Sequence, residues 1–153
     1  MKKAELIGEK ELRKAFERQE DLVVRRGKAA VEAGCFLILN DAKINSSVVS
    51  SDLRKSLASK VNVSVKGIEG EVGTNKEYAP CVEYGTRPHM PPVKALETAA
   101  NVYGIDAWAL AMTIKKKGTK AHPYLRPAFD ENKERAYNEI KTVLNQLIKD
   151  FRK

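Results

Sequence analysis

The sequence predicts an α+β fold: a small antiparallel β-meander packed by a long N-terminal helix and a C-terminal helix, with a helical hairpin inserted ahead of the last helix. Three observations carry this. Apolar residues recur at helical spacing through the first forty positions. The period changes to two around Val61, Val63 and Val65, then returns to helical spacing between Ala136 and Phe151. Proline and glycine punctuate these changes, with no proline before Pro80 and two clusters, at 88–92 and 123–127, after it.

In the N-terminal helix, Val24, Val31, Cys35, Ile38 and Ala42 share one face. Leu6, Leu12, Phe16 and Val23 continue it less regularly, which places a break near 19–22. Gly27 and Gly34 lie on a neighbouring face. Each is either a helical glycine, tolerated at about 1 kcal/mol relative to alanine, or a point of close approach by another backbone. The run Asn45-Ser-Ser-Val-Val-Ser-Ser-Asp52 ends the helix, because its short polar side chains compete for nearby backbone groups. Ser46, Ser47, Val48, Val49, Ser50 and Ser51 are therefore expected in a mobile surface loop.

Beyond Leu53-Arg-Lys-Ser-Leu57, the three valines alternate with Asn62, Ser64 and Lys66, as in a half-buried strand. A glycine-bearing reversal at 66–70 leads to a return strand from Glu71. A third strand is expected at 81–85, with Pro80 at its start or edge because proline cannot donate to a ladder.

Pro92 suits the first turn of a helix that buries Val93, Leu96, Ala99 or Ala100, and Tyr103. Gly104 ends it and Asp106 caps a second helix holding Trp108, Met112 and Ile114, which Gly118 closes. Residues 88–121 thus read as a helical insertion within a single domain, 1–153. The closing helix has Pro127 at its first position and Asp130 and Glu131 in its first turn, where the dipole favours anions. Its stripe of Ala136, Ile140, Val143, Leu147 and Phe151 is expected to pack on the domain's own sheet, with a neighbouring subunit as the alternative.

A chain of 153 residues, 42% of them apolar, can bury a substantial core, about two-thirds of its unfolded surface. The longest apolar run, 35–39, is far too short to span a bilayer, so no membrane partner is expected. The first residues lack the apolar core of a secretory signal, and synthesis in the cytoplasm is expected. Cys35 and Cys81 have no zinc-site spacing and read as small core residues. The net charge of +8 is even: residues 1–76 carry 15 basic against 11 acidic groups and residues 77–153 carry 13 against 9, so each half is +4. One basic concentration stands out, with Lys115, Lys116 and Lys117 followed by Lys120. It reads as a solvated helix end or as a phosphate-tracking patch, and no aromatic residues are interleaved for base stacking.

Two segments carry the punctuation: Tyr78-Ala-Pro-Cys-Val-Glu-Tyr-Gly-Thr86 and His122-Pro-Tyr-Leu-Arg-Pro-Ala-Phe129. Neither holds a nucleophile–base pair, clustered metal ligands or a phosphate-cradling glycine loop. His89 and His122, the only histidines, each lie beside or close to a proline and read as turn residues. No catalytic residue, cofactor or metal is expected.

On these segments, with Leu53-Arg-Lys-Ser-Leu57 ahead of them, the chain resembles the neck, or tail-completion, proteins of long-tailed bacteriophages, also described as tail components or morphogenesis proteins. That family's pattern is Leu-Arg-x-Ser-(Leu/Ile), then Tyr-Ala-x-x-Val-Glu-(Phe/Tyr)-Gly-Thr, then Pro-(Phe/Tyr)-Leu-Arg-Pro-Ala, in this order. The loop at 45–52 departs from it, lacking the family's Pro-x-Asp-Thr-Gly turn, and the stretch 87–121 is longer than in compact members.

The resemblance implies a non-enzymatic virion part, made in the host cytoplasm, that forms a homo-oligomeric ring joining head to tail. The partners it implies are a head–tail adaptor and tail-terminator or tail-tube proteins, with non-specific contact to passing DNA. Tyr78, Tyr84 and Tyr124 then offer apolar area with a polar tip, while Arg87 and Arg126 can fork onto a neighbour's carboxylates. Lys115, Lys116 and Lys117 are further interface candidates. Internal roles are the alternative, with Tyr84 in the core and Arg126 anchoring the final helix. Two other functions compete: a basic nucleic-acid-binding protein, drawing on a pI near 9.5, and a minor capsid-associated protein of the same virion.

Overall fold

The computed structural model describes residues 9–46 and 51–151, with side-chain surroundings from residue 20 onward. Helix α1, Glu9–Asn45, is the spine. It runs unbroken through 19–22, where Gln19, Glu20, Asp21 and Leu22 include no helix breaker. Cys35, Ile38, Leu39 and Ala42 are buried on its core face. Helix α2, Ser51–Ser56, follows, then β1, Ala58–Ser64, and β2, Gly67–Gly73.

The strands pair antiparallel with Ala58 opposite Gly73 and Ser64 opposite Gly67, so Val65 and Lys66 alone make the turn. The reversal is shorter than its glycines suggest. Of the three alternating valines only Val61 is partly covered, while Val63 and Val65 are exposed. Both strands of the hairpin pack on α1, and the closest approaches come from β2. Ile68 Cδ1 lies 2.8 Å from where a β-carbon on Gly27 would be. A β-carbon on Gly70 would collide with Cys35 Sγ and lie 2.7 Å from Val31 Cγ1.

Residues 81–85 do not form the expected third strand. Residues Ala79–Tyr84 form helix α3, with Pro80 in its first turn. The physical cause is the spacing of what is buried: Ala79 and Glu83, four apart, face inward with Val82 half-buried, whereas Pro80, Cys81 and Tyr84 face solvent. Cys81 is exposed and is not a core residue; only Cys35 is buried. The sheet is accordingly a two-stranded hairpin and not a meander.

Helices α4, Val93–Tyr103, and α5, Ala107–Lys117, make their main contacts with each other. Gly104, with φ 65° and ψ 31°, takes the left-handed conformation between them, and the Asp106 carboxylate caps α5 by accepting from Ala109 N–H at 2.9 Å. Tyr103 and Trp108 are exposed.

Helix α6, Leu125–Phe151, packs antiparallel against α1 and not against the sheet. Asn132 donates to Asp41 near one end and Arg26 pairs with Asp150 at 2.8 Å near the other. Between them Gly34 admits Ala136, whose β-carbon would be 3.1 Å from one on the glycine. Both helical glycines of α1 are thus points of close approach within the chain. The main core gathers Ile38, Leu39, Ala42, Leu53, Leu57, Ala79, Tyr124 and Ala128.

Gly70→Val should overpack the α1–β2 contact and lower stability by about 1–3 kcal/mol. The readout is a lower denaturant midpoint at unchanged slope. A midpoint equal to that of the wild type would rule out this seating of the hairpin.

Candidate functional site

The segment at 53–57 ties the end of α1 to the hairpin. Leu53 and Leu57 enter the core. Arg54 reaches back, donating from Nη2 to the Ser46 carbonyl at 3.2 Å and from Nε to its hydroxyl at 3.3 Å. Such a cation suits a helix C-terminus, whose last carbonyls lack partners and carry the negative end of the dipole. Ser56 donates to the Leu53 carbonyl at 2.8 Å and shares a hydrogen bond with the Thr74 hydroxyl at 2.6 Å. The expected surface loop is therefore corrected at its edges: Ser46 is 2% exposed and bonded to the Lys43 carbonyl, and Ser51 opens α2. Ser47, Val48, Val49 and Ser50 lie outside the described residues.

The two punctuating segments meet at one carboxylate. Glu83, 6% exposed, accepts from Tyr124 N–H at 2.8 Å and Leu125 N–H at 2.9 Å through Oε2, and from Arg126 N–H at 2.9 Å through Oε1. A helix leaves its first four N–H groups without internal partners. In α6 these belong to Tyr124, Leu125, Arg126 and position 127, and the fourth is Pro127, which has no N–H. One distant side chain plus one proline therefore satisfies the whole helix start.

Pro127 is the third helical residue, not the first, and α6 has no acidic residue in its first turn. The anion expected from Asp130 or Glu131 is supplied instead by Glu83, more than forty residues away. Burial alone would raise the Glu83 pKa, but the three N–H donors and the Arg126 charge outweigh it and hold the carboxyl below its ordinary value. Both oxygens are occupied, so Glu83 serves as an anchor and not as a proton acceptor.

Below this latch the chain is clasped a second time. Thr86 and Thr119 exchange backbone hydrogen bonds at 3.1 and 3.2 Å, and their hydroxyls lie 3.0 Å apart. The preceding residues, Gly85 at φ 72°, ψ 179° and Gly118 at φ 73°, ψ −165°, occupy a region essentially confined to glycine. Each also faces the other segment's backbone: a β-carbon on Gly85 would lie 2.5 Å from the Thr119 carbonyl oxygen, and one on Gly118 would strike that of Thr86. His122 N–H donates to the Val82 carbonyl at 2.8 Å. The α4–α5 pair leaves the body through this clasp.

The structure separates the predicted site residues. Tyr124 is 2% exposed in the core, where it cannot serve as a surface contact, and burial followed by the Glu83 charge raises its phenol pKa. Tyr84 is 69% exposed, so its internal alternative fails; it stands beside a shallow cleft between α3 and the start of α6. Tyr78 is just over one-third exposed. Arg87 and Arg126 are exposed, and the Arg87 carbonyl lies 2.9 Å from His89 Nδ1. Lys115, Lys116 and Lys117 form the exposed last turn of α5. Sequence reasoning missed Glu83. Its signal was a helix start, His122-Pro-Tyr-Leu125, with no Ser, Thr, Asp or Asn to cap it, which requires a cap from elsewhere in the chain.

Residues 10–85, about half of the chain, match the family model described as "Bacteriophage HK97-gp10, putative tail-component". The chain belongs to this phage tail-component family. The match runs from α1 to Gly85 and so includes the latch carboxylate. No curated protein and no solved structure matches the chain. Membership makes this a non-enzymatic phage structural protein. Among the described residues, no group of three or more His, Cys, Asp or Glu side chains could hold a metal ion, and no helix is long and apolar enough to cross a membrane.

Replacing Glu83 tests the latch. Glu83→Ala leaves three helix N–H groups without their acceptor and should cost about 2–5 kcal/mol. The pH dependence has a definite sign. A carboxyl whose folded-state pKa is depressed binds fewer protons folded than unfolded, so its contribution is complete above the ordinary value of 4.5 and fades as pH falls through the folded one. The advantage of wild type over Glu83→Gln should accordingly shrink below pH 4.5; a constant difference down to pH 2 would contradict the assignment. At the clasp, Gly118→Ala should destabilise by about 2–4 kcal/mol through strain and backbone collision. Thermal melting within a degree of wild type would remove that account.

Proposed function

We propose that this protein is a subunit of the head–tail neck of a long-tailed phage or prophage, or completes the tail end, and that it works by assembling into a ring. The observation that carries this reading is a division of labour among its residues. The family-type segments are spent inside the subunit, on the Leu53 and Leu57 core contacts, the Arg54 and Ser56 ties and the Glu83 latch. Apolar side chains meanwhile stand exposed on the projecting helices and along α6, among them Val102, Tyr103, Trp108, Tyr137, Leu144 and Ile148. A stable subunit with unspent apolar surface suits a building block.

On this reading residues 88–121 are an insertion in a single domain. The partners are further copies, a head–tail adaptor and tail-terminator or tail-tube proteins. Tyr78, Tyr84, Arg87 and Arg126 are candidate contacts, and the even positive charge suits a passage for DNA. The protein is made in the host cytoplasm and ends in the virion.

Mass spectrometry of purified particles from the encoding phage, paired with electron microscopy of a deletion, tests the role. The protein should be present in particles, and the deletion should accumulate filled heads and separate tails. Particles that lack the protein, together with joined virions from the deletion, would exclude it.

A further inference from the structure

Resting on the assembling role proposed above, one contact between copies can be named. Lys115, Lys116 and Lys117 are exposed, Lys120 follows beyond the clasp, and none of the four meets a carboxylate within the described chain. Completing the dipole of α5 does not account for them. A helix C-terminus carries about half a negative charge, against four positive ones here. The clasp at Gly85–Thr86 and Gly118–Thr119 holds these lysines at the root of the α4–α5 arm. Lys115 and Lys116 lie about two turns along α5 from the exposed Trp108, with Lys115 on the same face, giving that side an aromatic start and a basic end.

An oppositely charged surface lies on α6. Among the described residues Glu131 and Glu134 are exposed without an ion-pair partner, and Glu139 pairs only with Arg135 at 3.9 Å. With Arg135, Asn138 and Thr142 they line a shallow open groove along one flank of the helix, where three carboxylates outnumber the one guanidinium. This flank is separate from the face that packs on α1 through Ala128, Asn132, Ala136 and Leu147. Among the described residues no ion pair joins the arm lysines to this flank.

We propose that the basic face of α5 in one copy docks on the acidic flank of α6 in the next. The two surfaces differ, so each copy can use both at once, and the contact can propagate into a closed ring or an open helix. Both surfaces lie outside the segment 10–85 that matches the tail-component family model.

Two charge reversals test the pairing by sedimentation equilibrium: K115E/K116E/K117E on the arm and E131K/E134K on α6. Each variant alone should self-associate about a hundredfold more weakly than wild type, because like charges now face each other. An equimolar mixture should regain association, since each arm then finds an opposite flank in the other variant, and this recovery also shows that both fold. If either reversal prevents folding, K115Q/K116Q/K117Q and E131Q/E134Q carry the test, each expected to weaken association.

Association unchanged in the single variants, or no recovery in the mixture, overturns the contact. So does a wild-type chain that stays monomeric at about 1 mM, a concentration at which even weak contacts register. An arm reversal that abolishes only salt-sensitive DNA binding assigns the lysines to nucleic acid and equally overturns it. None of these results changes whether the protein is found in virions, so the contact and the proposed function fail separately.

Discussion

Everything distal to Gly85 depends on how the Glu83 carboxylate is used. Burying an anion is costly unless its hydrogen bonds are replaced, and here three backbone N–H groups replace them. The same bonds solve a second problem, because the start of α6 would otherwise bury orphan donors beside Tyr124. Neither side could be buried cheaply without the other. The pairing fixes α3 against α6, and α6 then lies along α1 with Ala136 at Gly34. Two regions distant in the chain become one joint, and the Thr86–Thr119 clasp repeats that closure a few residues further on.

This arrangement gives the family-type segments a physical meaning. Leu53, Arg54, Ser56, Glu83, Gly85 and Tyr124 each satisfy a core position, a helix end or a backbone crossing inside the subunit. They say how the subunit is built. Surfaces such as the arm and the exposed flank of α6 stand apart from this joint.

Much of the helical frame was legible in the sequence. The stripe of Cys35, Ile38 and Ala42 is buried on α1, Ala136 and Leu147 are buried on α6, and Asp106 caps α5. The misreadings share one cause, which is that local pattern cannot see a partner far along the chain. Residues 81–85 looked like a strand because Pro80 and Val82 fit one, and only the inward position of Glu83 shows the helical spacing. Tyr124, expected at an interface, is in the core, and Tyr84, open to both readings, is at the surface, since an aromatic residue with a polar tip is compatible with both. Pro127 was placed two residues too early because the true cap of α6 lies on another element. The glycines of α1 were left open between two roles until Ile68 and Ala136 were found against them.

The latch is most directly tested by amide hydrogen exchange at Tyr124, Leu125 and Arg126 under native conditions. N–H groups at a helix start ordinarily face water and exchange fast, whereas donors locked onto a buried carboxylate open only when the structure does. Protection of these three amides at the level of global unfolding, lost in Glu83→Gln, is the expected result. Exchange at the rate of a frayed helix end in the wild-type protein would contradict it.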